Sequence, residues 1–274
     1  MITVYSAEEF YAKYYTELLE NEAVHQLIIS NLNHVMSTPE EGVLFAICER
    51  KQHYFICNNL PFAMLVTTSD HCDNEEVVGK EIAEYVVDHG IQITGITSSK
   101  GIVEGFVEYY KEYNRDMHLS ESMDIMVLTQ VNEVKQVGSL QHACNEHIDE
   151  LARMYIDFTL EALGEAPELE LAIYKIRKCV ELNDAYILLE EGIIVSMCIT
   201  PRHLKSGKCI SAVYTKPKYR GKGYCKSMMS KVCKYLLEQG DQFVTLYVDT
   251  TNPISNAAYT AVGFTVVESC YKYI

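Results

Sequence analysis

Val213–Met229 reads VYTKPKYRGKGYCKSMM, two glycines and a cluster of bases set between a β-rich run and a helix. Lys216 precedes Pro217 and is held extended, which marks a strand exit. Gly221 and Gly223 remove side chains where the chain must turn. Beyond them Cys225, Met229, Val232, Cys233, Leu236 and Leu237 fall at helical spacing. A loop entering a helix this way offers unpaired backbone N–H groups at the positive end of the helix dipole. Such a cradle suits a pyrophosphate, and Arg220 and Lys222 add charge. The spacing is neither Gly-x-x-x-x-Gly-Lys-Ser/Thr nor Gly-x-Gly-x-x-Gly, so an ordinary basic strand–helix turn is an equal reading of this stretch alone.

A second stretch, FVTLYVDTTNPISNAAYTAVGF at Phe243–Phe264, breaks the tie. A strand ends at Asp249, Asn252 opens a turn or caps a helix, and Pro253 can begin that helix. Tyr259 lies one to two turns in, and Gly263-Phe264 closes the helix and starts a strand. Together the two stretches resemble the GNAT N-acyltransferase superfamily. Its loop pattern, Arg/Gln-x-x-Gly-x-Gly/Ala, is met by Arg220-Gly221-Lys222-Gly223-Tyr224-Cys225, with Cys225 replacing the final small residue. Its second pattern, Asn-x-x-Ala/Ser-x-x-x-Tyr-x-x-x-Gly-Phe, is met in register by Asn252, Ser255, Tyr259, Gly263 and Phe264.

The resemblance implies an acyl-CoA donor, most often acetyl-CoA, and an amine acceptor. Its pyrophosphate would lie on the amides of Gly221, Lys222, Gly223, Tyr224 and Cys225. Its pantetheine arm would pair, strand-like, with Val213, Tyr214 and Thr215. Asn252, Ser255 and Asn256 would face the donor. Tyr259 would protonate the leaving thiolate, since a phenol of pKa about 10 can give its proton to a thiolate of pKa about 8.5. The base is open. The strand KCISAVYT carries no carboxylate, and Asp249 is the favoured side chain. Glu190-Glu191 before Gly192 reads as a solvated hairpin turn. A water chain, or an amine that arrives deprotonated, serves equally well. The runner-up reading is an acyl-CoA-binding regulatory module without turnover.

Composition sets the bounds. The 274 residues, 48% hydrophobic and 22% charged, suit one large or two small globular domains. A net charge of −15 argues against nucleic acid and suits a small amine-bearing acceptor. The ten cysteines form no Cys-x-x-Cys pair and sit mostly among apolar neighbours, as reduced core residues of a cytoplasmic protein would. His71-Cys72 and His142-x-Cys144 are half sites without a second half, so no metal is expected. No apolar run approaches the length of a membrane span.

The chain repeats one order: helices, three strands, helix, strand, helix, strand. Helices are expected over 7–36, 75–88 and 101–113, with Val77, Val78, Ile82, Tyr85 and Val86 on one side of the second. Strands are expected near 43–49, 53–58, 63–68, 91–96 and 120–131. The order then restarts, giving an α/β (α+β) chain of two tandem GNAT-like mixed-sheet domains, 1–135 and 136–274. In the first domain Asp70, Asp73, Glu75 and Glu76 stand where the basic loop should be, so this half is expected to be degenerate. The second half looks most like the glycine N-acyltransferase-like group.

Overall fold

Ser6 opens the first helix by a reciprocal capping box with Glu9, and the pattern Phe10, Tyr14, Leu18 carries its buried stripe. The computed structural model describes residues 1–38, 42–68, 74–113 and 116–274. Contacts divide the chain into two units. The first is Met1–Ile125 with Val248–Thr251 and Val266–Ile274; the second is Met126–Tyr247 with Asn252–Thr265. The division therefore has no single join, and the last residues of the chain belong with the first unit.

The first unit runs β1 (Ile2–Tyr5), α1 (Ala7–Leu18), α2 (Glu22–Ser37), β2 (Leu44–Glu49), β3 (His53–Asn58), β4 (Met64–Thr67), α3 (Glu75–Asp88), β5 (Ile96–Ser98) and α4 (Lys100–Tyr110), and then enters β6 (Leu119–Leu128). β1 to β4 pair antiparallel in order, and β4 pairs β5 in parallel. α3 begins and ends where its periodicity places it and buries Val78, Ile82 and Val86. Val77 does not share that face; it is 53% exposed. The strand expected at 91–96 lies instead at Ile96–Ser98. Its partner β4 is short, and the two share only the pairs Met64–Ile96 and Leu65–Thr97. β1 was not expected, because a strand of four residues shows almost no periodicity.

The second unit continues with β7 (Ser139–His142), α5 (Ile148–Leu163), α6 (Leu169–Glu181), β8 (Ala185–Glu190), β9 (Ile193–His203), β10 (Gly207–Thr215), α7 (Tyr224–Glu238), β11 (Phe243–Asp249) and α8 (Pro253–Val262). β7 to β10 pair antiparallel in order, and β10 pairs β11 in parallel, the same plan as β1 to β5. α5 and α6 cover one face over Ala152, Ile176, Ile187, Met197 and Ala212. α7 buries Met228, Met229, Val232, Cys233 and Leu236. Glu191 and Gly192, both at positive φ, form the two-residue turn between β8 and β9, as the sequence suggested. The final strand, β12 (Thr265–Tyr273), pairs antiparallel with β5 through Tyr271, Lys272 and Tyr273.

Candidate functional site

The site begins with a strand that leaves its neighbour. β10 pairs with β11 only over Gly207–Ile210 and Phe243–Leu246, yet runs on to Thr215. Ala212 takes a left-handed φ of 49°, a rare conformation for a residue with a Cβ. Register against β9 shifts on both sides of Ser211, so β10 is bulged here. β9 still holds the far side of the strand end. Lys216 N–H donates to the Val195 carbonyl at 3.0 Å, and the Ser196 hydroxyl donates to the Tyr214 carbonyl at 2.9 Å. The β11 side of Val213, Tyr214 and Thr215 lies beyond the end of that ladder, an edge that an extended amide-bearing ligand can pair with.

The loop follows directly. Pro217–Tyr219 makes a short 3-10 turn, and the Arg220 N–H closes it on the Pro217 carbonyl at 3.2 Å. Gly221 and Gly223 have φ of 76° and 91°, and nothing lies within 4 Å of where a Cβ on either would stand. No side chain caps α7 at Gly223. The first bond into the helix is from Ser227 N–H to the Gly223 carbonyl, so the N–H groups of Tyr224, Cys225 and Lys226 have no intrahelical acceptor. Open space, a row of donors and the positive helix end fit a pyrophosphate. Lys218 and Lys222 sit 5.0 and 5.6 Å from the ring centre of Tyr219, whose edge meets Tyr224. Burial pushes the Cys225 thiol up to about 11, so it stays protonated and acts as a small side chain.

Arg220 is engaged elsewhere. Its Nε donates to the Thr215 carbonyl at 2.9 Å, and its guanidinium pairs with both Glu161 oxygens at 3.0 and 2.8 Å. The Tyr214 hydroxyl donates to Glu161 at 3.2 Å; burial and the Glu161 charge push that hydroxyl up to about 12. Lys216 pairs with Glu150. Glu150 and Glu161, both on α5, were missed in the sequence. Their signal was the spacing 150, 157, 161, which puts three acids on one helical stripe.

α8 supplies the remaining candidates. The Asn252 side chain is the cap of the helix, accepting from Ser255 N–H at 3.1 Å. The Asn256 amide donates to the Asn252 carbonyl at 2.8 Å. Tyr259 is only 7% exposed and meets the edge of Phe264. Burial raises its hydroxyl well above 10, helped by the nearby thiols of Cys225, Cys198 and Cys233 and opposed by a hydrogen bond with Ser255. The loop and Tyr259 are therefore brought together. Asp249 accepts from the N–H and the hydroxyl of Thr251, both at 2.7 Å, and by its contacts belongs to the first unit.

In the first unit the helix equivalent to α7 is α3, with Glu75 and Glu76 in its first turn. Asp70, Asp73 and the His71-Cys72 pair lie outside the described residues. α4 lies directly on that turn. A Cβ on Gly105 would stand 2.0 Å from the Glu76 carbonyl oxygen, and one on Gly101 would meet Glu75 at 2.7 Å. The Ser99 hydroxyl donates to Glu75 at 2.7 Å. Among the described residues no three His, Cys, Asp or Glu side chains come together as a metal site. Among them too, no helix is long and apolar enough to cross a membrane.

Residues 148–264 match the acetyltransferase (GNAT) family. Among curated protein sequences none matches. Three solved structures share the fold over the whole chain. One is a GCN5-related N-acetyltransferase from Sphaerobacter thermophilus (TM-score 0.64, 12% identity, 100% of this chain and 94% of that one). Another is a GNAT-family acetyltransferase from Colwellia psychrerythraea (0.61, 10%, 100% and 98%). The third is a tandem GNAT protein from the clavulanic acid biosynthesis pathway, without AcCoA (0.53, 11%, 100% and 97%). The chain is a mixed α/β protein of the GNAT fold, the fold of a tandem GNAT protein among them.

Proposed function

We propose that the second unit transfers an acetyl group from acetyl-CoA to the amine of a small molecule, and that the first unit is a degenerate copy that binds no donor. The observation that carries the reading is the parting of β10 from β11 beside the open, glycine-lined start of α7. The strand end offers amides to the pantetheine arm and to the oxyanion that develops on the thioester carbonyl. The loop and first turn, Gly221 to Cys225, offer amides to the pyrophosphate. The amine nitrogen attacks the carbonyl carbon, the C–N bond forms and the C–S bond breaks. Tyr259 gives its proton to the departing sulfur and recovers one from solvent. The proton lost by the nitrogen passes to water. Burial disfavours the phenolate, so the Tyr259 hydroxyl keeps its proton at neutral pH until the departing sulfur takes it.

In the first unit, the glycine contacts of α4 occupy the space beside the first turn of α3, and carboxylates stand where a donor phosphate would. The buried thiols of Cys48, Cys57, Cys179, Cys198, Cys209 and Cys233, none of them in a disulfide, fit a reducing, cytoplasmic setting. The test is release of CoA thiol from acetyl-CoA with a panel of small amines. Amine-dependent release is expected. Binding of CoA with no release for any amine would favour the runner-up, a sensor of acyl-CoA.

A further inference from the structure

We infer that Glu161 is a positioning residue of the donor site: through Arg220 and Tyr214 it holds the strand end Val213–Thr215 in the line that an extended donor arm can pair with. The inference rests on the acyl-CoA reading of the second unit. Past Ala212 the strand has lost β11, so one of its two neighbours no longer restrains it. β9 holds the other side through Ser196 and Val195. The clamp acts on the tip. Arg220 Nε grips the Thr215 carbonyl at 2.9 Å, its guanidinium carbon stands 5.2 Å from the Tyr214 ring centre, and Glu161 binds both the guanidinium and the Tyr214 hydroxyl. Glu161 therefore closes a ring of four groups: carboxylate, guanidinium, phenol and the Thr215 carbonyl.

The consequence concerns Arg220. The sequence suggested that it adds charge for the pyrophosphate. With its Nε on the Thr215 carbonyl and its Nη2 on Glu161, the guanidinium is turned to the strand, and the phosphates fall to the amides of residues 221–225 and to lysines. α5, which carries Glu161, thereby sets the geometry of the donor edge. A single exposed ion pair would do little. A carboxylate that fixes a planar guanidinium against a backbone carbonyl and an aromatic ring fixes a direction as well.

The test compares Glu161→Gln, Arg220→Lys and Tyr214→Phe with the wild type, using two probes in calorimetry. CoA carries both the nucleotide and the arm; 3′-phospho-ADP carries the nucleotide alone. The clamp predicts that each variant binds 3′-phospho-ADP within about twofold of wild type. CoA affinity should fall about tenfold for Glu161→Gln and Arg220→Lys, and less for Tyr214→Phe. With saturating acetyl-CoA, kcat should fall in the same order while the melting temperature stays within a few degrees. Equal losses for both probes would make Arg220 a phosphate ligand and overturn the inference. Unchanged binding and kcat in all three variants would overturn it too, leaving the acyl-CoA reading intact. A wild-type protein that binds neither probe would remove that reading, and the clamp with it.

Discussion

Tyr259 carries the sharpest expectation of any single side chain. It is nearly buried, its hydroxyl is held protonated by that burial, and it lies near Cys225 at the start of α7. Tyr259→Phe should keep the ring, its contact with Phe264 and CoA affinity, and should lower kcat by roughly 100-fold or more. A variant keeping over half the wild-type kcat, with chemistry rate-limiting, would take Tyr259 out of the reaction. The pH dependence has a definite sign. A tyrosine whose pKa is raised on folding contributes stability in full below its unfolded value near 10 and loses it as pH rises through the folded value. The alkaline limb set by Tyr259 should thus lie above pH 10, and it should be missing from the kcat profile of the Phe variant. Tyr259 was legible in the sequence because its register to Asn252 and Gly263 is fixed within one short helix. The ion pair of Arg220 was not legible, since its partner Glu161 is 59 residues away.

At the level of elements, α3 and α4 meet through glycines. A Cβ on Gly79 would stand 2.0 Å from the Ile102 carbonyl oxygen, and one on Gly105 the same distance from that of Glu76. Intrinsic helix propensity favours Gly→Ala by about 1 kcal/mol, whereas forcing packed helices apart costs about 1–3 kcal/mol or more. The clash wins, so Gly79→Ala and Gly105→Ala should each lower stability in chemical denaturation. A gain in stability would contradict the packing. The other element-level test is β12. It gives the first unit the ladder to β5, the Ser269–Asp124 and Lys272–Glu121 contacts, and the paired bonds between Ile274 and His118. Deleting residues 269–274 should speed hydrogen exchange in α3 and α4, although these precede the deletion by more than 150 residues. Unchanged exchange there would show that the first unit stands without β12. Helices were easy to read because periodicity accumulates over three or four turns. β1 and β5, four and three residues long, give periodicity too little length to show.

For the whole molecule, the duplication was legible from the order of elements, and the shared β1–β5 and β7–β11 plan gives that order its physical meaning. The membership of residues 266–274 was not legible. A strand of this composition pairs as well with one neighbour as another, and nothing local in its sequence names β5. The central claim is that one half carries the donor site and the other has lost it. Calorimetric titration of CoA into the wild type and into Gly223→Asp tests this most directly. Asp tolerates the left-handed conformation of Gly223 better than most residues, so the variant should fold while its carboxylate repels the pyrophosphate. The account predicts one CoA per wild-type chain and no measurable binding in a folded Gly223→Asp. Two sites per chain, or undiminished affinity in the variant, would contradict it.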